Sequence, residues 1–291
     1  MAEPGFTALA EARVAVVGLG LMGGSLALAL RGRCREIVGV DPDPAAADFA
    51  RARGVIDRAV DFDSARGCDV LILAAPVRVI LAQLRALSIS PPAERRRATV
   101  VLDLGSTKTE IAALMQALPP HFDPIGGHPM CGREVSGIEH AQAGLYRGKI
   151  FVLTPLARTS PAALALANRL VAAIGARPFV LTPERHDALA ALSSHLPYAA
   201  AVALVRAALS SQDDGLWTMA ASGFRDTSRL AASDVTMMVD ILLTNRPALL
   251  DALGRYRMEL DALAALIDAG EPEALRTLLA PAQARRAGLF Q

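Results

Sequence analysis

A chain of 291 residues suits one large or two medium domains, and 53% hydrophobic residues allow a sizeable core. Lys+Arg 30 against Asp+Glu 29 leaves a net charge of +1, so nothing electrostatic favours nucleic acid or an anionic membrane as partner. Cys34, Cys68 and Cys131 are scattered and form no CxxC pair. Neither a metal site nor a disulfide framework is expected, and a reducing cytoplasmic setting fits best.

No apolar run is read as reaching the ~18–20 residues of a membrane span. The first residues carry Glu3 and Glu11 and no basic region, unlike a signal peptide. Residues 13–17 read as a buried strand. Gly18-Leu19-Gly20-Leu21-Met22-Gly23 follows at once, and residues 25–30 continue as helix. This is G-x-G-x-x-G in its strand–turn–helix setting. The first glycine makes the tight turn, the second admits a pyrophosphate and the third lets helix pack on strand. The unpaired N–H groups of the helix start then face the phosphates. A second strand, residues 36–40, ends at Asp41, which lies 23 residues after Gly18. That spacing suits an acid that accepts hydrogen bonds from the adenosine ribose, and a carboxylate there repels a 2′-phosphate. NAD is therefore expected rather than NADP, held by Gly18, Gly20, Leu21, Met22, Gly23 and Asp41.

The alternation continues with a helix over 44–53, a short strand within 55–60, a buried strand over 69–74 and a helix over 77–87. A strand over 99–104 follows. β-α-β-α order of this kind predicts a parallel, doubly wound sheet of Rossmann type. At the end of the 99–104 strand stand Gly105-Ser106-Thr107-Lys108. Ligands of such sheets lie at the carboxyl ends of strands, so Ser106 can meet a ligand, cap the helix over 109–118, or do both.

Gly126-Gly127-His128-Pro129-Met130 closes the next strand on the same rim. The glycines are read as giving conformational freedom, and Pro129 biases His128 toward an extended backbone. An imidazole aimed this way can accept a proton near neutral pH. Strands over 149–153 and 177–181 and a helix over 161–174 complete the first domain, 1–181. Thr182, Pro183 and Glu184 then read as cap, first helical position and first turn. From 182 to 291 only apolar helical patterns appear, with breaks read near 213–215, 222–223, Pro247, 270–272 and Pro281. Helices this apolar must bury more than one face, and a dimer interface is the simplest cover. Two stretches there are not ordinary helix. Ser194-His195-Leu196-Pro197-Tyr198 sets polar groups and a proline in an apolar run. Gly223-Phe224-Arg225-Asp226-Thr227-Ser228-Arg229 clusters two guanidinium groups around a carboxylate, a combination suited to ion pairing or to a substrate carboxylate.

Taken in order, these motifs resemble the prephenate/arogenate (cyclohexadienyl) dehydrogenase family of tyrosine biosynthesis over roughly residues 13–260. The resemblance implies a dinucleotide-binding domain, an all-α dimerisation domain and oxidative decarboxylation of a cyclohexadienol. It implies that His128 takes the proton of the ring hydroxyl and that Ser106 orients that histidine and the nicotinamide. Arg229 would hold a substrate carboxylate with Asp226 as its partner, Glu134 would line or gate the site, and Ser194 and His195 would face the substrate. Tyr198 departs from the histidine usual at that place in the family. Prephenate is the expected substrate, with arogenate and 4-amino-4-deoxyprephenate as alternatives. β-Hydroxyacid dehydrogenases, similar at the glycine turn, use a lysine from the helical half, and this chain has none after Lys149. A non-catalytic NAD-binding sensor is the reading from another class.

Overall fold

The computed structural model describes residues 8–90, 98–133 and 135–289. Its sheet contains β1 (Arg13–Val17), β2 (Glu36–Val40), β3 (Arg58–Ala59), β4 (Val70–Leu73), β5 (Thr99–Asp103), β6 (Phe122–Pro129), β7 (Ile150–Pro155) and β8 (Arg177–Val180). The order across the sheet is β3-β2-β1-β4-β5-β6-β7-β8. Between the strands run α1 (Leu21–Leu30), α2 (Pro44–Ala52), α3 (Phe62–Ala65), α4 (Val77–Ser88), α5 (Thr109–Gln116) and α6 (Pro161–Ala173). The helical half holds α7 (Pro183–Ala190), α8 (Leu196–Leu209), α9 (Gly215–Met219), α10 (Ser222–Ser228), α11 (Val235–Thr244), α12 (Arg246–Ala269) and α13 (Pro272–Ala287).

The first six strands run parallel, as expected, but β7 pairs antiparallel to β6, with His128 opposite Val152. β8 then runs parallel to β7, so the sheet is mixed at that end. Strand geometry explains why both sheet faces are covered. Successive side chains of β1 point to opposite faces. Val14 and Val16 join the apolar layer that includes Leu26, Leu30 and Leu170, while Ala15 and Val17 join the layer of Ile80, Leu84 and Ile111. Buried on both sides, such strands read as unbroken apolar runs.

The chain divides into two compact units, Met1–Asn245 and Arg246–Gln291. In the first, α7 begins as expected, with the Thr182 side chain accepting from Arg185 N–H. α7, a five-residue π-turn over Ala191–His195, and α8 form one continuous helix, Pro183–Leu209. Pro197 cannot donate to the helix ladder and crowds the preceding turn, and a π-turn just before it relieves that conflict. An 18-residue window of this helix has mean hydropathy 1.6. By length and composition it could therefore cross a membrane, contrary to the reading that no such run exists. One face of it nevertheless packs on α5 and on the turn Arg229–Ala232, with His186, Asp187 and His195 buried. In the second unit, α12 and α13 form a hairpin broken at Gly270, whose φ is +66°. Pro281, expected to interrupt this region, lies inside α13.

Candidate active site

Steric need accounts for the glycines of the first turn. Gly18 has φ +97°, and a Cβ there would lie 2.5 Å from the Ala74 carbonyl oxygen. A Cβ on Gly23 would lie 1.9 Å from the Gly18 oxygen. Gly20 faces open space, with nothing within 4 Å of its Cβ position. This is the geometry of a cradle that a side chain would fill and a pyrophosphate can enter. α1 starts at Gly20 with no side-chain cap, leaving its first N–H groups for an anion. Leu21 is buried, and the Met22 carbonyl accepts the Tyr146 hydroxyl at 2.6 Å, which fastens the helix start. Asp41 stands at the end of β2 and accepts Leu19 N–H at 2.7 Å and Asp43 N–H at 2.9 Å. Each carboxylate oxygen keeps a lone pair for a ribose hydroxyl. The residues fit a dinucleotide.

The second half of the rim is built around β6. A Cβ on Gly127 would meet the Asp103 carbonyl oxygen at 2.7 Å, and one on Gly126 would meet Thr154 Oγ1 at 2.1 Å. Neither glycine has positive φ. Close approach of the flanking strands, rather than the conformational freedom read from the sequence, requires them. His128 is half-buried at the end of β6. Its Nδ1 lies 2.8 Å from His186 Nε2, and His186 Nδ1 lies 2.8 Å from Asp187 Oδ1. The two rings meet edge to face, 5.0 Å between centroids. Burial, and then the proximity of His186, Lys108 and His195, hold the His128 pKa well below the usual histidine value. The ring is therefore neutral near pH 7.

Lys108, fully buried, pairs with Asp103 and donates to the Gly127 carbonyl at 2.7 Å. Burial lowers its pKa, against the opposing pull of Asp103 and Asp187. Asp187 accepts Lys108 N–H and Thr109 N–H, both at 2.8 Å, and the Thr109 hydroxyl at 2.6 Å. Although burial would raise its pKa, hydrogen bonds from His186, Thr109 and Lys108 lower it on balance. Asp187 thus caps α5, the part expected of Ser106, whose hydroxyl neither caps that helix nor bonds to the His128 ring among the described residues. Asp240 of α11 holds the start of α4 similarly, accepting from Arg78 Nε at 3.1 Å and from its N–H at 3.4 Å. Thr107 and Thr244 hydroxyls meet at 2.8 Å.

His195 joins this cluster. It is buried, its Nδ1 lies 3.0 Å from Asn245 Nδ2, and burial pushes its pKa down to about 4. The same amide donates to the Asp187 carbonyl at 2.8 Å. Ser194, one residue earlier, is exposed, and Tyr198 is half-buried. Asp226 and Arg229 are exposed, and Asp226 pairs with Arg225 at 3.3 Å. Glu134 lies outside the described residues. The sequence reading missed His186, Asp187, Lys108 and Asn245 as members of the cluster. The His-Asp pair opening α7 was the available signal.

A family model described as the nucleotide-binding domain of prephenate dehydrogenase matches residues 26–181, and one described as its dimerization domain matches 182–281. The chain belongs to the prephenate dehydrogenase family. A prephenate dehydrogenase of Bacillus subtilis is 32% identical over 95% of this chain and 76% of its own length. A cyclohexadienyl dehydrogenase of Zymomonas mobilis is 31% identical over 86% of each. Among solved structures, the prephenate dehydrogenase of A. aeolicus in complex with hydroxyphenyl propionate and NAD+ superposes with TM-score 0.88 at 32% identity, covering 97% of this chain and 99% of that one. A Synechocystis arogenate dehydrogenase gives 0.80 at 32% identity, covering 94% and 99%.

Proposed function

We propose that this chain is an NAD-dependent dehydrogenase that oxidatively decarboxylates prephenate to 4-hydroxyphenylpyruvate. One observation carries the proposal: a neutral, half-buried imidazole, His128, stands on the same carboxyl rim of the sheet as the dinucleotide turn at Gly18–Gly23. The turn, the start of α1 and Asp41 hold NAD, and Asp41 disfavours the 2′-phosphate of NADP. When bound, the nicotinamide accepts a hydride. His128 accepts the proton of the C4 hydroxyl as that hydride departs. Loss of CO₂ from the resulting dienone yields an aromatic ring and makes the reaction irreversible. Ser106 at the end of β5 contacts the nicotinamide or the substrate, Arg229 holds a substrate carboxylate with Asp226 as its partner, and Glu134 lines or gates the site. Ser194, His195 and Tyr198 border the substrate.

Tyr198, a bulky phenol with one hydrogen to donate, sets the preference at the far end of the substrate. The arogenate alternative stays open because the relatives include a cyclohexadienyl and an arogenate dehydrogenase. The dinucleotide domain is 1–181, and 182–291 is the helical domain through which two copies pair. Parallel kinetics on prephenate and arogenate, each with NAD and NADP, test the assignment. Rapid NADH formation with prephenate is expected. Turnover confined to arogenate would reassign the substrate, and none with these two or with 4-amino-4-deoxyprephenate would remove the enzyme reading.

A further inference from the structure

We propose that His186, anchored by Asp187, is a positioning residue that keeps the His128 proton on Nδ1 and leaves Nε2 as the bare nitrogen that receives the substrate proton. The inference rests on the dehydrogenase reading for its use, but its geometry stands alone. It begins at Asp187. This carboxylate accepts two backbone N–H groups and a hydroxyl from the start of α5, besides His186. A group accepting from that many donors is ionised and has no proton to give. The 2.8 Å contact with His186 Nδ1 therefore requires the proton on that nitrogen. In a neutral ring, His186 Nε2 is then a lone pair. His128 Nδ1, 2.8 Å away, must donate to it. His128 Nε2 makes no hydrogen bond among the described residues and is left without a proton.

A doubly protonated His186 would reverse the chain and place the His128 proton on Nε2. His186 is 2% exposed, and Lys108 and His195 lie near His128 on the other side of the contact. Asp103 is engaged by Lys108, and the Asp187 charge is already answered by the N-terminal N–H groups of α5. Once His128 takes up a proton, the same two hydrogen bonds spread the imidazolium charge toward Asp187. The logic is that of a buried carboxylate fixing the tautomer of a catalytic histidine, with one imidazole interposed.

Histidine-selective ¹⁵N labelling of the NAD-bound protein near pH 7.5 tests this directly. With only five histidines, single variants assign each ring. The expected spectrum shows His128 and His186 each protonated on Nδ1 and bare on Nε2. A His128 protonated on Nε2 would overturn the proposal. Kinetics supply a second arm. His186→Leu, which offers no acceptor, should lower kcat at least ~10-fold while leaving NAD affinity within about twofold. His186→Gln, whose carboxamide oxygen can accept from Nδ1, should recover a large part of that loss. Equal losses for Leu and Gln, tracking equal losses of thermal stability, would mark His186 as structural only and overturn the proposal. Wild-type protein inactive on both dienols would count against the dehydrogenase reading and leave the tautomer measurement intact.

Discussion

At the scale of single residues, the chemistry depends on what surrounds His128. A neutral imidazole serves as a base only above its own pKa, and burial with three neighbouring cationic or imidazole groups lowers that value. The acid limb of kcat/KM is therefore expected below about pH 6.5, the ordinary histidine value. A pH–rate profile of the free enzyme whose acid limb lies at or above that pH would contradict the electrostatic account. The histidine itself was legible because its signal is local: two glycines before it and a proline after it. His186 was not, since its contact with His128 spans 58 positions and the stretch 182–187 reads equally well as a capped helix start. Lys108 was legible only as part of a loop motif, because burial of a lysine against Asp103 depends on strands that the sequence does not align.

Elements were more legible than their pairings. β1, β2, β5 and α4 fall within a residue or so of the ranges read from apolar runs and periodicity, because a strand covered on both faces advertises itself as an apolar block. The direction of β7 was not legible, since a long connection permits either sense. The break expected at Pro281 failed because the following residues of α13 still close their turns. The role of the rim glycines also came out differently, and it yields a prediction. In Gly127→Ala the new methyl would meet backbone at 2.7 Å and the Leu102 and Phe151 side chains at 2.9 Å. Overpacking of this kind costs about 1–3 kcal/mol. Denaturant unfolding of the variant should show a lower midpoint, with turnover reduced because His128 is the next residue. A midpoint equal to that of the wild type would show that β5 and β6 are not so closely apposed. The caps by Asp187 and Asp240 belong to this scale as well, since each joins a helix start on the sheet rim to the chain beyond residue 181.

For the molecule as a whole, apolar exposure is the leading fact. Met219, Val235, Met258 and Ile267 are 84%, 68%, 70% and 61% exposed. Apolar exposure of this kind is found in each of the two units, in line with the dimerization-domain model that matches residues 182–281. Light scattering coupled to gel filtration should give about twice the 30.5 kDa chain mass. A monomer at micromolar concentration would contradict pairing through the helical half. Stability should also depend on pH in a defined sense. His195 is neutral in the folded protein down to about pH 4, whereas an unfolded histidine takes up a proton near 6.5. The unfolded state thus binds more protons between those values, so stability is greatest above about pH 6.5 and falls as pH drops toward 4. The loss from this one group is ~3 kcal/mol. Urea midpoints measured across that range would contradict this if they stayed flat or rose toward acid.

His128, proposed to remove a ring-hydroxyl proton while hydride passes to NAD, is the residue on which turnover should depend most. Turnover of prephenate with NAD, followed as NADH and CO₂ formed in equal amounts, should be measured on the wild type and on His128→Asn side by side. Turnover of the variant is expected to fall about 10²–10⁴-fold with NAD binding retained. Near-normal turnover by the variant would contradict that role for His128.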